Sequence, residues 1–401
     1  MRYWDAGFAF VVAMAVAAVL TPLAARLARR VGAVDKPTER GLGHGATPLL
    51  GGLAILVGVL VAAAIWMPAT IKLARSVGAK PGTGGSVDTW VLIAGACLIA
   101  LVGAIDDARD LRPQWKLLGQ IAAAVIAVRA GAVVTDVTLP FLGALQFPHT
   151  GGALTVIWLV GMMNVVNFSD GVDGLAAGVC TIDGIAFAII AFDLNVGGAA
   201  VLAAITAGAA LGFLFHNFHP ASVFMGDSGA NLLGYLLGVV AVIGSLKTNV
   251  VVALVVPLVI LAVPFLDTGF VVAKRLKYRR KPWSADANHF HHRMVRIGFS
   301  QRKTVVYLYG WTLLLAGLAV ALRILPYHAH NRYHAGWVIV LIVLALAALA
   351  ASVYLIYLLE IFKFRGLRAS ELRRGDPATS EHEIDERVER DIETGEFETV
   401  G

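Results

Sequence analysis

Eleven apolar runs of spanning length constrain this chain more than any other feature. They fall at about 6–27, 49–67, 89–105, 116–132, 152–166, 172–192, 198–215, 229–245, 250–272, 304–324 and 336–361. A helix needs about 20 predominantly apolar residues to cross a bilayer. The pattern therefore predicts an all-α polytopic membrane protein with about 11 transmembrane helices. Composition agrees. Charged residues make up 15% of the chain, where a soluble domain carries about 25%, and mean hydropathy is +0.75. A soluble globule, a disulfide scaffold, a coiled coil and a disordered chain are all excluded. The two cysteines, Cys97 and Cys180, lie in apolar stretches and suggest neither a metal site nor a redox compartment.

The basic residues orient the spans. Arg2 precedes the first run, whereas Arg26, Arg29 and Arg30 follow it, and no small-residue cleavage site marks that run as a signal peptide. The N-terminus is therefore expected outside and, with an odd span count, the C-terminus in the cytoplasm. Loops assigned inside then hold 25 of the 33 Lys and Arg. This bias explains the basic body without nucleic acid, which is not an expected partner. Residues 1–362 form the transmembrane domain on this reading. Residues 363–401 form a cytoplasmic tail, acidic from Asp376 on, polar and expected to be disordered or loosely helical. On the outer side, 133–150 alternates weakly, contains two prolines and predicts a short hairpin.

Polar residues gather on the inner face. The third run ends in GAIDDARDLRPQWK, which places Asp106 and Asp107 at the membrane boundary, with Asp110 beyond them and Lys116 opening the next span. Adjacent carboxylates beside an apolar segment need water, a proton or a cation to relieve their repulsion. Paired oxygen ligands suit Mg²⁺ shared with substrate phosphates, although such a pair alone also fits a solvated loop. The fifth run continues into NVVNFSDGVDGLAAG, where Asn164, Asn167, Asp170 and Asp173 recur every three residues. That spacing predicts one helical face, with Gly171 and Gly174 interrupting the helix and allowing close approach of a ligand.

The seventh run leads into HNFHPASVFMGDSGANLLG. Asn217, Phe224, Asp227 and Asn231 surround a turn there. Alone, Asp227 reads as a helix N-cap; with two other acidic clusters on the same face, a shared metal–phosphate site accounts for it better. His216 and His219 read as interfacial or turn residues. The inner loop 273–303 carries ten basic residues and the cluster His289, His291, His292 and Arg293, which suits an anionic pocket as well as an anionic membrane surface. The first inner loop, with Asp35, Pro37, Arg40, His44, Pro48, Gly51 and Gly52, reads as structured re-entry into the second span.

In this order, the segments resemble the polyprenyl-phosphate N-acetylhexosamine-1-phosphate transferases (glycosyl transferase family 4). The resemblance covers roughly 30–310. It rests on the D-x-P…R…H…P…GG loop, Asp-Asp followed by Lys, N-x-x-N-x-x-D-G-x-D-G-L-A, F-M-G-D-S-G and H-x-H-H-R. Each motif is weak alone and specific in combination. The resemblance implies that a membrane polyprenyl phosphate attacks the β-phosphate of a UDP-sugar and UMP leaves. It implies Mg²⁺, with Mn²⁺ as a substitute, and catalysis on the cytoplasmic face of a multi-pass plasma-membrane protein; homodimerisation is open to it.

By motif, the resemblance makes Asp227 the metal ligand and sets Asp106 and Asp107 beside the metal and the lipid phosphate. It gives Lys116 a phosphate contact. Asn164, Asn167, Asp170, Gly171 and Asp173 fall on the nucleotide side, together with Asn217, and Phe224 stacks on the base. His289, His291, His292 and Arg293 embrace the sugar pyrophosphate. The single H-x-H-H-R pattern resembles the branch that uses UDP-GlcNAc; a phospho-MurNAc-pentapeptide transferase is the alternative within the family. An ion-coupled transporter is the rival of another class, but it would be expected to show internal repeats and midplane polar groups. A scaffold would not need the acidic clusters. Asp267 belongs to a stretch shared with the family, and Asp183, in mid-span, has no place in any motif.

Overall fold

A computed structural model describes residues 3–35, 47–72, 86–134, 136–139, 143–147, 149–244, 300–329, 332–359, 372 and 380–394. Ten of the eleven apolar runs are helices: α1 (Tyr3–Val31), α2 (Gly51–Trp66), α3 (Thr89–Arg109), α4 (Pro113–Arg129), α5 (Gly151–Ser169), α6 (Leu175–Asp193), α7 (Gly197–Asn217), α8 (Gly226–Gly244), α9 (Gln301–Ile324) and α10 (Ala335–Leu359). Run 250–272 lies outside the described residues, as does the loop holding His289, His291, His292 and Arg293. Eight of these helices are long and apolar enough to span a bilayer, so the chain is a multi-pass membrane protein. At 16 residues, α2 rises about 24 Å.

Small residues set the packing. α8 is the central helix, buried from Ser228 to Gly244, and it contacts α2, α3, α5, α6 and α7. α7 lies between α1 and α6. The buried stripe of α1 is alanine with one threonine. Opposite it, Gly208 and Gly212 of α7 meet the carbonyls of Phe10 and Met14, where any side chain would collide with backbone. Membrane helices lack a hydrophobic drive toward one another and associate through such close contacts. α10 packs on α9, tied by Trp311 Nε1 to Ser352 Oγ at 3.0 Å, and leaves most of its apolar surface outward.

Local signals fix the helix ends. Asp88 caps α3, accepting from Trp90 N and Val91 N at 2.9 and 3.1 Å; Pro113 opens α4; Ser300 caps α9. The expected hairpin is present as β5 (Asp136–Leu139) paired antiparallel with β6 (Gly143–Gln146). Two hairpins that the sequence did not announce share its end of the bundle. They pair β3 (Thr70–Lys72) with β4 (Ser86–Asp88), and β7 (His328–Ala329) with β8 (Arg332–Tyr333). At the opposite end, β1 (Val34–Asp35) pairs with β2 (Thr47–Pro48).

Of the two readings of the tail, the helical one holds for Glu381–Thr394, which forms α11. Ser380 caps it, acidic residues occupy its first turn, and Arg387 pairs with Glu383 at 3.5 Å one turn back. Ile384 and Val388 are buried together with Leu372. Local capping and pairing thus outweigh the polar composition.

Candidate active site

The C-terminal end of α3 and the N-terminal ends of α4 and α8 meet at the end of the bundle that carries β1 and β2. Gly103 permits this meeting: a Cβ there would strike the backbone of Asp227 and Ser228. The two aspartates of α3 then diverge. Asp106, 7% exposed, points its Oδ2 at Lys116 Nζ, 2.5 Å away, while its Oδ1 accepts from Leu111 N at 2.7 Å. Lys116 Nζ also donates to Asp227 Oδ2 at 3.2 Å. One ammonium therefore stands between two carboxylates from different motifs, carried on α3 and α8.

Asp107 has a different task. Its Oδ1 accepts from Asp227 N at 2.7 Å and its Oδ2 from Ser228 N at 3.2 Å. Asp107 is the N-cap of α8, supplied from another helix, and both its oxygens are engaged. Gly226 lies at φ +67°, and a side chain there would run into the Asp107 carboxylate. The pair that the sequence presents as one metal-side unit is split between a cation-facing and a helix-capping carboxylate. Asp227, which also reads as an N-cap, is in the first turn of α8, with its side chain free to face Lys116.

The stripe of four polar residues is corrected in part. Asn164 and Asn167 lie on α5, but that helix ends at Ser169, so Asp170 and Asp173 do not continue its face. Asp170 is the C-cap, and Gly174, at φ +81°, restarts the chain as α6. The helix breaks at these glycines, as the sequence predicts. Asn167 hydrogen-bonds the carboxyl of Asp227. Burial, reinforced by the charges of Asp227, Asp107 and Asp173, pushes the Asp170 carboxyl well above the usual range. Gly171 is exposed in the turn.

Asp173 and Asn217 hold loops. Asp173 Oδ2 binds His219 Nδ1 at 2.7 Å and accepts from Ala221 N at 3.0 Å. Asn217, 2% exposed, accepts from Gly174 N at 2.9 Å and donates to Val223 O at 3.0 Å, so its amide staples the α7–α8 loop to the start of α6. Tyr309 of α9 donates to Gly174 O at 2.5 Å, and Arg302 Nε donates to His219 O at 3.1 Å. His219 is thus a turn residue with a defined partner. Phe224 is half-buried, its backbone joined to Pro48 O and Gly51 N, which brings the start of α2 to the site.

One residue of this centre escaped the sequence reading. Gln120, 5% exposed, lies one turn beyond Lys116 and bonds both Asn231 and Asn164. The signal was present: a lone carboxamide in KLLGQIAAAVIAV, an otherwise apolar helix.

Comparisons with known proteins place these segments in a family. A family model for glycosyl transferase family 4 matches residues 89–245, which contain the paired aspartates, the Asn stripe and Asp227. The chain is 32% identical over 323 residues to a probable undecaprenyl-phosphate N-acetylglucosaminyl 1-phosphate transferase of Bacillus subtilis, the match covering 78% of this chain and 84% of that protein. The chain belongs to glycosyl transferase family 4. This family 4 chain is also 36% identical over 312 residues to a decaprenyl-phosphate N-acetylglucosaminephosphotransferase of Mycolicibacterium smegmatis, covering 72% and 75% of the two. A phospho-N-acetylmuramoyl-pentapeptide-transferase of Desulforamulus reducens shares 32% over 337 residues, covering 78% and 93%.

Proposed function

We propose that the chain transfers N-acetylglucosamine 1-phosphate from UDP-N-acetylglucosamine to a membrane polyprenyl phosphate, on the cytoplasmic face, with release of UMP. The observation that carries this reading is the convergence of Asp106 and Asp227 on Lys116 at one end of a membrane bundle. An acceptor phosphate anchored by its lipid lies at headgroup depth, and a nucleotide arrives from water, so the reaction belongs at that boundary. The relatives named for N-acetylglucosamine phosphate transfer support the choice of sugar over the muramyl-pentapeptide alternative.

In the reaction, an oxygen of the lipid phosphate forms a bond to the β-phosphorus of the UDP-sugar. The bond from that phosphorus to the bridging oxygen breaks, and its electron pair leaves with UMP. No proton has to move, because a phosphate monoester with a second pKa of about 6 is already largely dianionic at neutral pH. A general base is therefore unnecessary. The demand on the protein is to position the phosphates and neutralise their charge.

The donor set suits Mg²⁺. Asp106 and Asp227 offer hard oxygens, and two carboxylates are what this ion takes when phosphates and waters complete its shell. When bound, the ion would neutralise charge on the pyrophosphate as it develops. Lys116 would meet phosphate oxygens as a point charge, Asn167 would orient Asp227, and Asp107 would hold the α8 terminus in place. Phe224 and the turn at Asp170 and Gly171 would face the nucleotide.

The test mixes purified protein with labelled UDP-N-acetylglucosamine, a polyprenyl phosphate and Mg²⁺, and measures label entering the organic phase. Label in the lipid, dependent on divalent cation, is expected. No transfer from any UDP-N-acetylhexosamine would sink the reading, and transfer only from the muramyl-pentapeptide nucleotide would reassign the substrate.

A further inference from the structure

Gln120 sits at the centre of a chain of amides that ends on the backbone of Asp227. Asn164 Nδ2 donates to Gln120 Oε1 at 2.9 Å, Gln120 Nε2 to Asn231 Oδ1 at 2.8 Å, and Asn231 Nδ2 to Asp227 O at 2.8 Å. Asn164 Nδ2 also donates to Val160 O at 2.8 Å. Both ends of the chain are backbone carbonyls, which only accept. Asn231 must therefore turn its nitrogen toward Asp227 and its oxygen toward Gln120. Gln120 must then offer its nitrogen to Asn231 and its oxygen to Asn164. The ends dictate a single orientation for all three amides.

The placement of this chain gives it a function. Lys116 and Gln120 are one turn apart on α4, as are Asp227 and Asn231 on α8. Lys116–Asp227 and Gln120–Asn231 are consecutive rungs between the same two helices. α4 packs mainly on α3 and α5 and touches α8 only slightly, so apolar contact does little to fix their separation. The upper rung is solvated and ionic, with Lys116 34% and Asp227 23% exposed. The lower rung is buried, Gln120 at 5% and Asn231 at 4%. A buried hydrogen bond leaves an unpaired polar group if it slips, which makes it the stiffer of the two.

We propose that Gln120 is a positioning residue for the transfer. Through Asn231 it sets the place of Asp227 on α8 relative to Lys116 on α4, and Asn164 fixes its own orientation. This inference rests on the function proposed above for the same site. Gln120 need not touch substrate; it acts through Asp227.

The test uses the full chain in detergent, with Gln120→Met, Gln120→Glu, Asn231→Leu and the double variant Gln120→Met/Asn231→Leu. Gln120→Met removes both bonds at similar volume. Gln120→Glu keeps the acceptor for Asn164 and removes the donor to Asn231, with almost unchanged shape, and it carries the test should the Met variant not fold. For both, kcat per folded molecule is expected to fall about tenfold or more while KM for UDP-N-acetylglucosamine stays within about threefold. Mn²⁺ binding, read by spin resonance without substrate, is expected to weaken in parallel. The double variant should be no worse than Asn231→Leu alone to within about twofold, because one chain cannot be broken twice.

A Gln120→Glu kcat and Mn²⁺ affinity both within about twofold of the parent would overturn the proposal. So would losses that multiply in the double variant, or a fall in melting temperature with kcat unchanged. If the parent chain transfers nothing, the proposed function fails instead, and Mn²⁺ binding by the Gln120 variants still decides the positioning role.

Discussion

Two neighbouring carboxylates on one helix turn carry out different tasks here, and the backbone explains how. Asp106 and Asp107 are about 100° apart around α3, so one faces Lys116 while the other faces the exposed N–H groups that open α8. Substituting Asp227, which shares Lys116 with Asp106, and Asp107 should separate the tasks. Asp227→Asn is expected to lower the transfer rate by about 10²-fold or more, the scale on which removing a charge-stabilising group acts, with thermal stability kept. Asp107→Ala is expected to lower the melting temperature, since loss of a cap costs about 1 kcal/mol, and to lower activity indirectly. Melting curves and transfer rates of the two purified variants check this; equal melting temperatures for Asp107→Ala and the parent would contradict the capping role. The Asp pair was legible as a boundary feature from its place at the end of an apolar run. Its division was not, because the N–H partners lie 120 and 121 residues away.

Among helices, the bundle is assembled by absent side chains as much as by those present. Gly208 and Gly212 let α7 press on the carbonyls of α1, and Gly103 lets the α8 terminus reach α3. Gly212→Leu is expected to force α1 and α7 apart, lowering folded yield and melting temperature, an overpacking effect of about 1–3 kcal/mol or more. Size-exclusion profiles and melting in detergent would show it, and a monodisperse variant melting with the parent would refute the tight crossing. Ten helices could be read from hydrophobic runs because bilayer thickness sets a length that a sequence displays. The α5 stripe misled at Asp170 and Asp173 because three-residue spacing fits a helix and a Gly-broken turn alike. The tail could be read only as disordered or loosely helical, because Ser380 and the Glu383–Arg387 spacing are local signals within a composition typical of disorder.

For the molecule as a whole, the acidic and amide clusters of α3, α4, α5 and α8 gather at one end of the bundle, and three of the four hairpins among the described residues lie at the other. The charge bias expects the site end in the cytoplasm. Single cysteines test this in intact cells: Arg332→Cys, in β8, should react with an impermeant thiol reagent from outside, and Arg109→Cys only after lysis. The reverse pattern would invert the orientation; Cys180 is buried and Cys97 half-buried, which keeps the background low. The sequence by itself determined a polytopic helical membrane protein, its span positions, the expected orientation and the residue types of a phosphate-handling centre. Those properties follow from bilayer thickness, charge asymmetry and local spacing, each readable within a few dozen residues. Only the tertiary structure decided that Asp106, Lys116 and Asp227 form one group, that Asp107 caps a distant helix, that Asn217 staples a loop and that Gln120 of α4 bonds both α5 and α8. These roles depend on which helix ends meet, and that is fixed by glycine crossings and buried amide bonds between residues more than 40 positions apart.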